Sequence, residues 1–382
     1  MRLAVYTDYV YRRVDGVVYA ERAFALFLAA LTPHVERLRL IGRLAPRGGA
    51  TRYPLPTELE LAGLPHYESL AKPASALRSL LGSVRRMWRA LDGIDVIWIL
   101  GPYPHAVLLV GLALVRGTPV VIGVRQDWPS YVRMRRPGRR WMHRSADLLE
   151  WIWRTLARRL PVVAVGSELS AKYAHAPAVL DLVVSMVPAA ELERPVRTRD
   201  YGAQRQILSV GRLDEEKNPL LLAEVLALLT REDERWRLRV CGEGDLAGRL
   251  ADRLTALGVR DRADLLGYVP MGDALFELYR SSDVLLHVSW TEGFPQVLAE
   301  AFACGLPVVA TDVGGVRAGV DTAALLAPPG DARAAADAVS LIARDAELRA
   351  RLTAAGLERA RQLTLEAQTG RLAEFLRAAL QR

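Results

Sequence analysis

Two glutamates, Glu292 and Glu300, stand in the stretch TEGFPQVLAEAFACGLPVVATDVGG. The apolar run Val284 to Val288 before them reads as a strand buried in a parallel sheet. Pro295 suits the first turn of a helix, where a missing N–H is not needed. Glu292 therefore precedes a helix start, and Glu300 lies on its second turn. Gly305-Leu306-Pro307 ends that helix after about Cys304, Val308 to Thr311 form a strand, and Asp312 to Gly315 form a glycine turn. Such sheets bind ligands at the carboxyl ends of their strands. Free amides at Gly293, Phe294, Gly314 and Gly315, with the helix start at Pro295, suit an anion. Two acids there require a polyhydroxy partner or a cation. Spacing alone fits a helix-capping glutamate and a surface glutamate equally well.

A second constellation lies upstream. Ile207 to Gly211 reads as a strand, and Arg212 and Lys217 flank the turn after it, with Lys217 entering a helix to Leu229. A diphosphate placed there would collect two cations and the helix amides. Alone, the motif also fits surface charges beside Asp214, Glu215 and Glu216. No Asp-x-Asp occurs in the chain, so protein cations rather than a metal would stabilise a departing diphosphate.

EGFPQVLAEA and ACGLPVVATDVGG closely resemble the donor-site signature of the retaining glycosyltransferases with the GT-B fold, family four of that classification. The resemblance covers most of the second half and is weaker in the first. It implies an α/β fold of two Rossmann-like βαβ domains facing across a cleft. It further implies a sugar transferred from a nucleotide-sugar with retention, without a cofactor. Glu292 would fix the donor sugar hydroxyls, Glu300 the ribose, and Arg212 with Lys217 the diphosphate. Gly211 and Gly242 match strand ends of the family, and Tyr268 with Val269, after Gly267, match the position that receives the base.

The first half begins with a strand, Arg2 to Thr7, the loop Asp8 to Asp15, Gly16, and an expected helix from about Val17 to Leu31. There is no GxGxxG to support a dinucleotide site. Gly16 matches the family's cleft-facing loop once; a tight turn explains it equally. Arg125-Gln126-Asp127 follow the strand Val120 to Val124. Many relatives carry a histidine-aspartate pair at that strand end. Asp127 matches it, whereas Arg125-Gln126 replace the histidine. His105, at a neighbouring helix start, is a candidate for the same cleft or a structural histidine.

Residues 1–190 hold 26 Lys+Arg against 14 Asp+Glu, a net of +12, while residues 191–382 hold 25 against 29. A basic first half implies an acidic partner. Six arginines lie between Arg133 and Arg144, followed by Trp151 and Trp153 on a helix, and the 74–91 helix repeats the pattern. That composition suits a membrane interface, or else core tryptophans behind a solvated face. Nucleic acid is disfavoured, because no recognition motif accompanies the charge.

The resulting expectation is an acceptor-binding domain over 1–190, a linker over 191–206 and a donor-binding domain over 207–362. A last helix over 363–382 would cross back to the first domain. The acceptor would be a lipid-linked or membrane-associated glycan, or alternatively a soluble or phosphorylated small molecule. An epimerase or an inactive binding protein are the readings from other classes. No apolar run reaches the ~18 residues of a spanning helix, the N-terminus reads as a strand rather than a signal peptide, and Cys241 and Cys304 read as buried thiols. These features suggest a cytoplasmic protein, with peripheral attachment to the inner face of a membrane as the bolder version.

Overall fold

The computed structural model describes residues 1–46, 52–67, 73–202 and 204–381. The chain forms two compact units, Met1–Val184 with Gln368–Arg382, and Ser185–Ala367.

The first unit contains β1 (Arg2–Val14), β2 (Val17–Ala20), β3 (Arg37–Leu44), β4 (Tyr53–Pro54), β5 (Glu60–Pro65), β6 (Val96–Gly101), β7 (Val120–Val124), β8 (Val162–Val165) and β9 (Val179–Leu182). Its parallel core runs β5-β3-β1-β6-β7-β8-β9. Ala4, Ile97, Ile99 and Ile122 are fully buried, as expected of strands covered on both faces.

Sequence and structure part company after Thr7. Instead of a loop and a long helix, β1 continues to Val14 and turns back into β2, which is antiparallel to it. Asp15 and Gly16 both have positive φ, 48° and 82°. A two-residue hairpin of this type needs that at both central positions, and Asp-Gly supplies it. The helix shrinks to Phe24–Ala29. Tyr53–Pro54 and Glu60–Pro65 are short strands in a proline-rich region with no clear sequence signal.

The second unit contains β10 (Arg205–Val210), β11 (Trp236–Cys241), β12 (Ala263–Gly267), β13 (Val284–His287), β14 (Val308–Thr311) and β15 (Ala324–Ala327). The order β12-β11-β10-β13-β14-β15 is wholly parallel. This is the doubly wound arrangement whose strand order reverses between β10 and β13, where such sheets bind ligands.

The stretch 191–206 is not a free linker. The Arg199 guanidinium donates to the carbonyls of Ser282, Cys304 and Gly305, and the Tyr201 hydroxyl donates to the Asp283 carbonyl at 2.6 Å. Buried backbone acceptors draw this charged segment onto the second unit. The last helix, Leu365–Ala379, joins the first unit from Gln368 onward, where Arg377 donates to the His34 carbonyl and Gln368 accepts from the Val183 amide.

Candidate active site

The reversal point of the second sheet gathers one acid and three donors. Glu292 follows β13, and its Oε1 accepts from Ser289 Oγ at 2.7 Å, lies 2.9 Å from His287 Nε2, and pairs with Lys217. Its side chain is only 10% exposed. Burial by itself would raise the carboxyl pKa. The His287 hydrogen bond and the Lys217 charge outweigh it and pull the pKa down to about 2. A fixed anion results.

Lys217 does not enter the long helix. It ends a 3₁₀ turn, Glu215–Lys217, and Asn218 then takes φ 49° before the helix Leu220–Glu232 begins. That break points Lys217 across at Glu292. Arg212 is held by Asp214 and Glu216 and stays half-exposed. Both predicted cations thus stand beside the same strand ends, each already paired with a carboxylate. His287 and Ser289 were missed by sequence reasoning. The signal was a histidine inside the otherwise apolar run Val284 to Val288.

Glu300 sits on the helix Gln296–Ala303, 3% exposed, and accepts from the Tyr279 hydroxyl at 2.5 Å. Burial raises its pKa to about 7. The two acids are therefore driven in opposite directions. Between pH 4.5 and 7 the folded chain keeps a proton on Glu300 that the unfolded chain releases. Stability should fall by about 3 kcal/mol across that window and level off above it. Glu300→Gln should abolish this decline, with its melting temperature overtaking wild type as pH rises. Parallel melting curves from pH 4.5 to 8 would contradict that assignment.

Glycines shape the strand ends. Gly211 donates its amide to the Cys241 carbonyl, and Gly242 to that of Gly267, continuing the ladder beyond β10 and β11. A Cβ on Gly242 would fall 1.8 Å from the Gly211 carbonyl oxygen, so only glycine allows that approach. Tyr268, just after β12, is partly exposed, and Val269 follows it. Pro295 is the buried N-cap of the Glu300 helix, one position earlier than expected, and no side chain caps that helix. Phe294 packs under Gly319, Gly293 is exposed, Gly314 takes φ 51°, and the Gly315 amide donates to the Glu292 carbonyl at 3.3 Å.

In the first unit Arg125, Gln126 and Asp127 lie at the carboxyl end of β7. Asp127 caps the helix Trp128–Arg135 through the Ser130 amide and pairs with Lys172, which also binds Glu150. Gln126 is exposed. His105 is 1% exposed, stacked on Tyr67 and 3.2 Å from Ser79 Oγ. Burial pushes its pKa down to about 4, which marks a neutral structural histidine. Gly16 stands at the tip of the β1–β2 hairpin, where an added Cβ would meet nothing within 4 Å.

The arginine-tryptophan region forms two helices, Trp128–Arg135 and Arg140–Ala157. Trp153 is fully buried against Gly101 and belongs to the core, so it is not an interfacial residue. Trp141 and Trp151 are 45% and 64% exposed, and Leu81 and Trp88 are exposed on the helix Pro73–Ala90. Leu77, Leu80, Trp128, Val132, Trp141 and Leu149 line an apolar groove among these helices. Among the described residues no helix is long and apolar enough to cross a membrane.

The chain is similar to several known proteins. Residues 193–359 match the family described as glycosyl transferases group 1. An uncharacterized glycosyltransferase of Methanocaldococcus jannaschii is 36% identical over 137 residues, covering 36% of this chain and 34% of the relative. The D-inositol 3-phosphate glycosyltransferase of Saccharomonospora viridis is 33% identical over 223 residues, covering 52% of this chain and 51% of the relative. The chain thus spans a third to a half of these curated relatives. Sucrose-phosphate synthase from Thermosynechococcus elongatus shares the fold over 99% of this chain and 100% of its own, with TM-score 0.72 and 18% identity. Anabaena HepE in complex with UDP-glucose does so over 99% and 100%, with TM-score 0.70 and 16% identity.

Proposed function

We propose that this chain, a group 1 glycosyltransferase with the GT-B fold, transfers a sugar from a nucleotide-sugar with retention and without a metal. The Lys217–Glu292–His287 cluster at the reversal point carries the reading. A diphosphate docking at Lys217 and Arg212 would meet two cations beside the start of the helix Gln296–Ala303, which no side chain caps. Both charges oppose the negative charge that develops as the sugar departs. Glu292, kept ionised, accepts hydrogen bonds from sugar hydroxyls. Glu300 takes the ribose. The UDP and UDP-glucose complexes of Anabaena HepE support a nucleotide-sugar donor.

The acceptor belongs to the first unit, and we read it as a lipid-linked or membrane-associated glycan, because exposed arginines and tryptophans there flank an apolar groove. Incubation with UDP-glucose and other nucleotide-sugars, in excess EDTA, tests the donor chemistry. Undiminished turnover with an unchanged anomeric configuration is expected. Activity lost in EDTA and restored by Mn²⁺ or Mg²⁺, or an inverted product, would overturn it.

A further inference from the structure

At the carboxyl end of β7 the Arg125 guanidinium lies over the Phe24 ring, 3.7 Å from its centroid, with Tyr9 at 5.8 Å. Its Nε is buried without a hydrogen bond, and among the described residues the side chain makes no ion pair. The acids of the neighbourhood are already committed. Asp127 is taken by Lys172 and the Ser130 amide, Asp8 by Arg43 and Tyr67, and Glu21 by Arg12. Burial with no counter-charge pulls the Arg125 pKa down to about 10.

Arg125 is half-buried, with only its Nε fully shielded, and the aromatic faces recover only part of the cost of drawing a guanidinium that lacks a carboxylate partner out of water. A purely structural strut at this position would be better made by a neutral side chain. An arginine held there on rigid rings is instead preorganised: its remaining donors form a planar fork that fits a pair of phosphoryl oxygens. Tyr103, Trp128 and Tyr131 form a contiguous aromatic group at the neighbouring strand ends β6 and β7, with ring centroids 5.2 and 5.6 Å apart. Such a shelf suits a sugar or cyclitol ring attached to that phosphate.

We propose that Arg125 binds the phosphate group of a phosphorylated acceptor. This rests on the glycosyltransferase reading for the word acceptor, but the site is tested without turnover. In an R212Q/K217Q background, which silences the donor cations, inorganic phosphate and pyrophosphate are titrated calorimetrically. Vesicles of phosphatidylcholine with and without phosphatidic acid form a second arm. One Arg125-dependent binding event is expected, at least tenfold weaker in the added R125Q variant and partly retained in R125K. A signal with the soluble anions assigns a soluble acceptor, and one with phosphatidic acid alone a lipid-linked acceptor. R125Q should melt no lower than its parent, because the part-buried guanidinium it removes has no carboxylate partner. Equal anion binding with and without Arg125 overturns the proposal, as does an R125Q protein that melts lower and binds unchanged. If the Arg125 site stands while no donor is turned over, the anion site survives and the transferase reading falls.

Discussion

Lys217→Ala is expected to lower turnover by on the order of 10² or more, since it removes a charge used mainly in the transition state. The spacing suggested an exposed surface cation. The structure instead gives it a part-buried pairing with Glu292, so the substitution also touches stability. Ser289 and His287 remain as donors to the carboxylate, which holds the cost to about 1–3 kcal/mol rather than that of an orphaned charge. Arg212→Ala provides the control. Arg212 is half-exposed and bound to Asp214 and Glu216, so its loss should cost under about 1 kcal/mol of stability and still depress turnover. Chemical denaturation and steady-state kinetics on the same preparations separate the two effects. Wild-type turnover in both variants would remove Arg212 and Lys217 from the chemistry.

The second large effect concerns vesicles rich in anionic lipid. Arg135, Arg136, Arg139 and Arg140 are exposed and make no ion pair among the described residues, whereas Arg133 is neutralised by Asp147. At about 1 kcal/mol each near an anionic surface, four such charges are worth about 4 kcal/mol, roughly 10³ in partition. Flotation should therefore recover the protein with anionic vesicles at low salt and lose it at high salt. Changing the four arginines to glutamine should abolish recovery, while R133Q alone should do little. Trp141→Ser or Trp151→Ser should weaken it less. Protein left in the soluble fraction with anionic vesicles at low salt would exclude docking and favour a soluble acceptor.

The second sheet was readable in the sequence because buried parallel strands print as short apolar runs. Val308 to Thr311 appears with the expected limits. The acid pair was readable as a motif, but its electrostatics were not. Glu292 and Glu300 look alike in sequence; both are buried, but Lys217 and His287 overcome that burial at Glu292, whereas the single Tyr279 hydrogen bond does not overcome it at Glu300. The hairpin at Asp15-Gly16 was obscured because Val17 to Leu31 is apolar enough to suit either period. Trp153 shows the limit of composition: a tryptophan among arginines proved to be core, because it faces Gly101.

The first unit is discontinuous in the chain, whereas the second is one unbroken segment, Ser185–Ala367. During vectorial synthesis the second unit can therefore complete its sheet while the first still lacks Gln368, Thr369, Arg371 and Arg377. These side chains meet Val183, His34 and Asp181. Until residues 368–382 dock, the chain can hold a finished second unit and a first unit with the seat of its closing helix uncovered. That intermediate would be the species most exposed to proteases and holdase chaperones.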